Sequence, residues 1–162
     1  YRTIAEKYAD SDSAAKARGA VWRLTAVGQA ASLAGTDLDG KPFDLASMRG
    51  KPIVIQCWAT WCDQCVAEFE TLRSLQAKYA SKGLQFVGLN VDMERNDVKS
   101  FLQGKRVAWP QLMDGDGVDG ALAARFGLVN FPTLILIGAD GKVVKVMESA
   151  AELGDELDKL LR

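Results

Sequence analysis

The sequence predicts an α/β fold in which a central mixed sheet carries helices on both faces. Apolar runs typical of buried strands alternate with segments of helical periodicity, and this alternation favours parallel strands. Asp39-Gly40, before the alternating segments, and Asp140-Gly141, near their end, each separate two short apolar segments, which indicates antiparallel hairpins. A Cys-x-x-Cys motif falls where the first long apolar run gives way to helical spacing. Parallel and antiparallel pairings together predict a mixed sheet.

Residues 1–27 predict two short helices. Ile4 and Tyr8 are four residues apart, a spacing that places them on one helical face. Ser11-Asp12-Ser13 then offers a cap for a second helix. No residue pattern in this stretch indicates chemistry. We therefore assign residues 1–27 to a helical extension, or the remnant of an upstream domain, and residues 28–162 to the main domain.

The main domain is predicted to open with a hairpin over residues 33–45. Ile53–Trp58 is an apolar run bounded by Pro52 and the cysteine motif, which predicts a central buried strand. The next helix is predicted from residues at helical spacing, and Gly83 is a suitable stop for it. Its apolar positions are Val66, Phe69, Leu72, Leu75 and Tyr79.

The remaining elements continue the alternation. A second strand is predicted over residues 84–91, and a hairpin joins strands over Thr133–Ile137 and residues 142–147. Helical spacing predicts three further helices, around residues 98–102, from Val118 to Phe126, and over residues 153–161. Gly127 follows the second of these as a stop signal.

Composition and charge exclude several functions. The chain has 20 basic and 21 acidic residues and no basic run, so we expect no nucleic-acid partner. No apolar stretch approaches the ~18 residues of a membrane span. The sequence starts at Tyr1 rather than Met, and we expect any signal peptide, membrane anchor or preceding domain to lie upstream of it. The chain contains no histidine, which removes Ser-His-Asp and Cys-His catalysis and histidine-ligated metal or haem sites.

Cys62 and Cys65 are three residues apart, a spacing used by redox pairs and by half of a zinc site. A thiol attacks as the thiolate, and an ordinary thiol, with a pKa of about 8.5, is mostly protonated at neutral pH. A position just before a helix exposes Cys62 to unpaired backbone N–H groups and to the positive end of the helix dipole, which favour the thiolate. Cys65, one turn later, would be shielded and could resolve a mixed disulfide formed at Cys62.

Zinc binding and coincidental spacing are the alternatives for this pair. A zinc site would need carboxylates or a second chain, because no histidine exists and Cys57 lies within the predicted buried strand. Cys57 is expected to pack there as an inert thiol, with a redox or regulatory role as the alternative. Residues 114–120 resemble a calcium loop, yet Asp119 and Arg125 stand where such a loop needs glycine and glutamate. A helix-capping turn is the interpretation we adopt for that loop.

Two separated motifs carry a resemblance to a known family. Trp58-Ala59-Thr60-Trp61-Cys62-Asp63-Gln64-Cys65, followed much later by Phe131-Pro132-Thr133, resembles the thioredoxin superfamily, specifically the TlpA/ResA-like extracytoplasmic thiol–disulfide oxidoreductases. The resemblance covers residues 28–147 and leaves the N-terminal helices outside. It implies a thioredoxin-like three-layer fold with an N-terminal hairpin and a central insertion. It also implies a periplasmic or membrane-anchored protein that acts in cytochrome maturation or a related process.

The resemblance implies roles for four further residues. Pro132 should be a cis-proline facing the cysteines, with a trans proline opening a strand as the alternative. The backbone of Phe131 should bind extended substrate, and Trp61 should be an exposed docking aromatic rather than a packed one. Glu68 occupies the position of a glutamate linked to thiol ionisation and could transfer a proton. The alternative for Glu68 is a surface carboxylate favoured by the helix dipole.

Two departures from the family pattern affect the expected redox poise. Asp63-Gln64 replaces the usual x-Pro between the cysteines, and a carboxylate beside Cys62 opposes thiolate formation by like-charge repulsion. We therefore expect the Cys62 thiol to be only weakly acidified, and we expect the Cys62–Cys65 pair to act as a reductant. Gln56 stands where thioredoxins hold a buried aspartate, so water or Glu68 would have to accept the proton.

The predicted function is thiol–disulfide exchange with protein substrates, in the reducing direction. It needs no cofactor or metal beyond the redox-active Cys62–Cys65 disulfide, and the expected partners are substrate proteins and an upstream reductase acting on a monomer. The alternative is a non-catalytic redox sensor or a metal-carrier module, although copper carriers of this fold use a histidine. A peroxiredoxin would need Thr-x-x-Cys, whereas Thr60 precedes Cys62 by two residues.

Overall fold

Two helices precede the first strand in the computed structural model, which describes residues 1–7 and 11–161. They are α1 (Arg2–Lys7) and α2 (Asp12–Thr25), so the two predicted helices are confirmed. Ser11 caps α2, since its hydroxyl accepts a hydrogen bond from the backbone N–H of Ala14 at 3.2 Å. Tyr8, the predicted neighbour of Ile4, lies outside the described residues.

A hairpin follows the helices, as predicted. It pairs β1 (Ala34–Thr36) with β2 (Pro42–Asp44) in antiparallel register and forms a small sheet of its own. The Asp37 carboxylate closes the turn by accepting the backbone N–H groups of Asp39 and Lys41, at 2.9 and 2.8 Å. Gly40 adopts a φ of +81°, which a residue with a side chain rarely adopts, and this explains the glycine at that position.

The central sheet contains five strands and is mixed, as predicted. The strands are β3 (Ile53–Trp58), β4 (Gln85–Asn90), β5 (Gln111–Leu112), β6 (Thr133–Ile137) and β7 (Val143–Met147). They lie in the order β5-β4-β3-β6-β7, with β3, β4 and β5 parallel and the β3–β6 and β6–β7 pairs antiparallel. The sequence did not predict β5, because two residues are too few to show a period.

Helices flank this sheet, and every residue of β3 and β6 is buried, so both sheet faces are covered. The helices are α3 (Asp63–Lys78), α4 (Arg95–Gln103), α5 (Ala121–Phe126) and α6 (Ala150–Leu160). The prediction of a helix from Val118 is wrong at its start: Val118 lies in a 3₁₀ turn, and the extended backbone of Gly120 separates that turn from α5. Within the described ranges, no helix combines the length and apolar character of a membrane span.

The N-terminal extension packs directly against α5. A Cβ atom added to Gly19 would lie 1.7 Å from the carbonyl oxygen of Ala124, so the two backbones are in contact there. The ring of Trp22 meets that of Phe126 edge-on, with centroids 5.1 Å apart. α2 is therefore held firmly beside the segment that leads to the Phe131-Pro132 turn.

Trp58, at the end of β3, is fully buried, in agreement with its predicted place in the core. Its ring packs edge-on against Phe69 of α3, with centroids 4.9 Å apart, and also meets Phe101 of α4. Its indole N–H donates to the side-chain oxygen of Gln111 at 2.9 Å, which satisfies the polar atom of this buried ring. These contacts fix the carboxyl end of β3, immediately before the cysteine motif.

Candidate active site

Cys62 and Cys65 form a disulfide at the N-terminus of α3, with Cα atoms 5.2 Å apart. Cys62 is the N-cap residue, and its Sγ accepts a hydrogen bond from the backbone N–H of Cys65 at 3.1 Å. Cys62 retains 8% of its surface exposed, whereas Cys65 is completely buried. Of the two cysteines, Cys62 is therefore the one that a partner can contact from solvent.

The loop before Cys62 is fastened to the neighbouring strand by Asp92. Its carboxylate accepts the backbone N–H and the hydroxyl of Thr60, and it also accepts the side-chain N–H of Asn90 at 2.6 Å. Sequence reasoning missed this contact. The available signal was the pair of polar residues at the carboxyl end of β4, since β4 is the parallel neighbour of β3 and the two strands end at the same edge.

The proline turn lies beside the cysteine motif. The Phe131–Pro132 peptide bond is cis, as the resemblance implied. Thr133 of β6 pairs with Cys57 of β3, which places Pro132 opposite Trp58 at the edge that carries the disulfide. The exposed ring of Trp61 meets the ring of Phe131 edge-on with centroids 5.6 Å apart, and Trp61 is 57% exposed. The structure therefore brings together the cysteines, Trp61 and the proline turn, while the substrate-binding roles of these residues stay predictions.

Two polar side chains near the motif have unusual surroundings. The Oε2 atom of Glu68 is buried and has no hydrogen-bond partner among residues 1–7 and 11–161. Glu70, two residues later, is exposed and pairs with Arg73 at 2.9 Å. Gln56 is buried on β3, and within that same part of the chain neither its oxygen nor its nitrogen has a partner. Both Glu68 and Gln56 thus hold buried polar atoms that the described residues leave without a hydrogen-bond partner.

Cys57 is free and completely buried on β3, as predicted. Burial raises the pKa of its thiol far above the ordinary value, because the apolar surroundings disfavour the charged thiolate. Cys57 is therefore an inert core residue and not a third member of the redox centre.

The acidic loop over residues 114–120 is a helix-capping turn, which confirms that interpretation. The Asp114 carboxylate accepts the backbone N–H of Leu122 in α5 at 2.9 Å and that of Asp116 at 3.2 Å. In the described part of the chain, no three or more acidic, cysteine or histidine side chains lie close enough to hold a metal ion.

An apolar groove extends from the redox site toward the N-terminal helices, with a volume of about 660 Å³. We call it the N-terminal groove; it is lined chiefly by Tyr1, Ile4, Ala17, Ala20, Trp61, Val118, Val129 and Phe131. The sequence did not predict it, because its walls come from four separate segments that only the tertiary fold brings together.

Comparison with known proteins agrees with this geometry. The family model described as Redoxin matches residues 25–161. The thiol–disulfide oxidoreductase ResA of Bacillus thuringiensis subsp. konkukian is 30% identical over 127 residues, which cover 78% of this chain and 71% of ResA.

Two solved structures illustrate the structural similarity. The thioredoxin domain of a thiol–disulfide oxidoreductase from Bacteroides vulgatus has a TM-score of 0.75 at 25% identity, over 85% of this chain and 99% of that domain. A secreted Mycobacterium tuberculosis disulfide oxidoreductase, described as homologous to DsbE of E. coli, has a TM-score of 0.67 at 30% identity, over 79% of this chain and 96% of its own. The predicted thioredoxin-like fold is thereby confirmed.

Proposed function

Since this chain belongs to the Redoxin family and is a thiol–disulfide oxidoreductase, we propose that it works as a reductant of protein disulfides outside the cytoplasm. The observation that carries the exchange chemistry is the unequal burial of the two cysteines. Cys62, the N-cap residue of α3, keeps a small exposed surface, whereas Cys65 is completely buried one turn behind it. Such a pair offers one sulfur to the partner and keeps the other for the second step.

The first step is attack by Cys62 in the dithiol form of the protein. Its thiolate attacks one sulfur of the substrate disulfide, so a bond forms between Cys62 and the substrate while the substrate S–S bond breaks. The departing substrate sulfur leaves as a thiolate and takes up a proton. The backbone N–H of Cys65, which donates to Cys62 in the disulfide, favours the attacking thiolate in the same position.

The second step releases the substrate. Cys65 loses its proton and attacks the sulfur of Cys62, which forms the Cys62–Cys65 disulfide and frees the second substrate sulfur as a thiol. Two electrons have then passed from the protein to the substrate. Glu68 lies three residues after Cys65, a spacing that places both on one face of α3. Its buried Oε2, which has no hydrogen-bond partner among the described residues, is the proposed proton acceptor.

Repeated turnover needs a source of electrons, and we assign this to an upstream protein dithiol that reduces the Cys62–Cys65 disulfide. No other cofactor enters the scheme. The extracytoplasmic location is supported by the secreted M. tuberculosis relative. The role in cytochrome maturation is supported by the sequence resemblance to the TlpA/ResA-like proteins. The protein is proposed to act as a monomer, because a single chain supplies both cysteines, Trp61 and the proline turn.

The direction of exchange is tested by equilibrating the Cys62–Cys65 pair with glutathione redox buffers and measuring the fraction oxidised. We expect a reduction potential below about −230 mV, nearer to thioredoxin than to the oxidant DsbA. Asp63→Asn should shift the potential toward oxidising values, because it removes a carboxylate that disfavours the Cys62 thiolate. A wild-type potential near −120 mV would instead make the protein an oxidant of dithiols.

A further inference from the structure

We propose that the N-terminal groove binds an uncharged, apolar segment of the substrate protein adjacent in sequence to its reactive cysteine. This inference rests on the proposed function, because a protein substrate presents a length of chain beside the sulfur that reaches Cys62. The helical extension thereby has a role in substrate choice. Most of this extension precedes the family match at residues 25–161.

The groove is continuous with the redox site. Trp61, which immediately precedes Cys62, and Phe131, which immediately precedes Pro132, both line the groove, and their rings are in contact. A substrate in a mixed disulfide with Cys62 is therefore held beside these two rings. Residues that follow or precede its cysteine are then positioned to enter the groove, where pockets for individual side chains can discriminate between sequences.

The surface of the groove is apolar and partly open to solvent. Ile4 of α1, Val118 of the 3₁₀ turn and Val129 before the proline turn are all exposed large hydrophobic residues that line it. Contiguous apolar surface beside a reactive centre is typical of a binding surface in a folded protein. A volume of about 660 Å³ exceeds the needs of a single side chain and suits a short segment.

The contact of α2 with α5 forms the groove in advance of binding. Close approach of Gly19 to the backbone of Gly127 holds the two helices together. Ala17 and Ala123 are buried at this contact and present small side chains to the groove, which leaves room between the helices. A preformed groove loses little conformational entropy when it binds, which favours a specific interaction.

The charges at the groove point to an uncharged occupant. Lys16 of α2 and Asp119 of the 3₁₀ turn line it and form an ion pair with each other. Because these two charges neutralise one another, the groove presents no net charge to a partner. A charged segment would lose hydration there without gaining a counter-charge, so an apolar segment is favoured.

The test compares disulfide peptides that differ only beside one cysteine. In the first pair, one peptide carries three leucines immediately before the cysteine and the other carries three serines there. In the second pair, the leucines or serines follow the cysteine. The readout is the ratio of kcat/KM for reduction of the leucine peptide to that of the serine peptide by the full chain. We expect a ratio of at least about 10 in one of the two pairs.

Ile4→Glu and Val129→Glu place a charge in the groove and should each lower that ratio toward one. Leu24→Glu is the matched control, because Leu24 is an exposed apolar residue of α2 that does not line the groove. It should retain the wild-type ratio. Urea unfolding of each variant checks that the fold is intact. Dividing the two kcat/KM values removes any effect of the substitution that is the same for both peptides.

Three outcomes overturn the inference. Equal reduction of leucine and serine peptides by the wild-type protein would remove the groove from substrate choice and leave the proposed function standing. Failure to reduce any of the four peptides would reject the proposed function and this inference together. Sedimentation of the wild-type protein as a dimer that Ile4→Glu dissociates would show that a second copy of the chain covers the groove.

Discussion

The carboxylate of Asp92 holds Thr60 through two hydrogen bonds, at 2.8 Å from its backbone N–H and 2.6 Å from its hydroxyl. Thr60 lies two residues before Cys62, so this contact ties the loop that carries the reactive sulfur to the end of β4. The Asn90 side chain supports Asp92 in turn, by donating to its carboxylate and accepting its backbone N–H. We interpret Asp92 as a positioning residue for the cysteine motif.

Replacement of the Thr60 hydroxyl tests this positioning. Thr60→Val removes one of the charge-assisted hydrogen bonds to Asp92, which contribute about 1.5–3 kcal/mol each. We expect kcat/KM for disulfide reduction to fall about 10-fold in Thr60→Val. Thr60→Ser keeps the hydroxyl and should retain most of the activity. Equal activities of the two variants, measured on the same peptide disulfide, would show that the hydroxyl does not position the motif.

Most of the local structure around the site could be predicted from the sequence alone. β3 was predicted with its observed limits, because an apolar run bounded by a proline and the cysteine motif is a strong local signal. The β1–β2 hairpin followed from Asp39-Gly40, since such a dipeptide favours one type of turn. The placement of Cys62 at the start of α3 followed from the helical spacing of the residues after it.

Features that depend on distant parts of the chain were not predicted. Asp92 and Thr60 are 32 residues apart, and their contact arises because β3 and β4 end at the same sheet edge. The N-terminal groove depends on the packing of α2 against α5, which no local sequence pattern predicts. The first turn of α5 was misplaced because the backbone of Gly120, rather than the spacing of apolar residues, sets where the helix begins.

Glu68 is expected to transfer a proton during exchange. Glu68→Gln keeps the shape of the side chain but cannot accept a proton at neutral pH. We expect it to slow the resolution of the mixed disulfide about 100-fold, the lower end of the usual range for general acid–base catalysis. The measurement is stopped-flow release of the second substrate thiol.

Glu70→Gln is the control for this prediction, because Glu70 lies on the same helix but is exposed and paired with Arg73. It should leave the resolution rate within about twofold of the wild type, since surface substitutions have small effects. If both variants slow resolution equally, the effect is one of net charge, and the assignment of Glu68 is wrong.

Cys57 is expected to make the folded state less stable at alkaline pH. Burial raises its pKa in the folded state, whereas in the unfolded chain the thiol ionises near pH 8.5. Below that pH both states hold the proton and the full stability is present. Above it the unfolded state alone releases the proton, so stability falls by up to about 1.4 kcal/mol per pH unit.

Urea unfolding of the oxidised protein at pH 7 and pH 10 measures this loss. The Cys62–Cys65 disulfide does not titrate, and Cys57→Val provides the control that shares every other titrating group. We expect the wild-type protein to lose about 2 kcal/mol more than Cys57→Val between these pH values. Equal losses, or rapid alkylation of Cys57 in the folded protein, would place this thiol in contact with solvent.

Gln56 is expected to cost stability, because its buried amide lacks protein partners among the described residues. Gln56→Met preserves the length of the side chain and removes the unsatisfied polar atoms. We expect the free energy of unfolding in urea to rise by about 1 kcal/mol. Gln103→Met, at an exposed position at the end of α4, should have no effect. A loss of stability in Gln56→Met would indicate that a buried water satisfies the amide.

The division of labour between Cys62 and Cys65 is tested most directly by trapping the mixed disulfide. Cys65→Ser leaves the attacking thiol and removes the resolving one, so reduced protein mixed with a disulfide peptide should accumulate one covalently attached peptide chain at Cys62. The measurement is intact mass under non-reducing conditions, followed by peptide mapping. We expect this adduct in Cys65→Ser and none in Cys62→Ser. An adduct at Cys65 in Cys62→Ser, or no adduct in either variant, would contradict the assignment of Cys62 as the nucleophile.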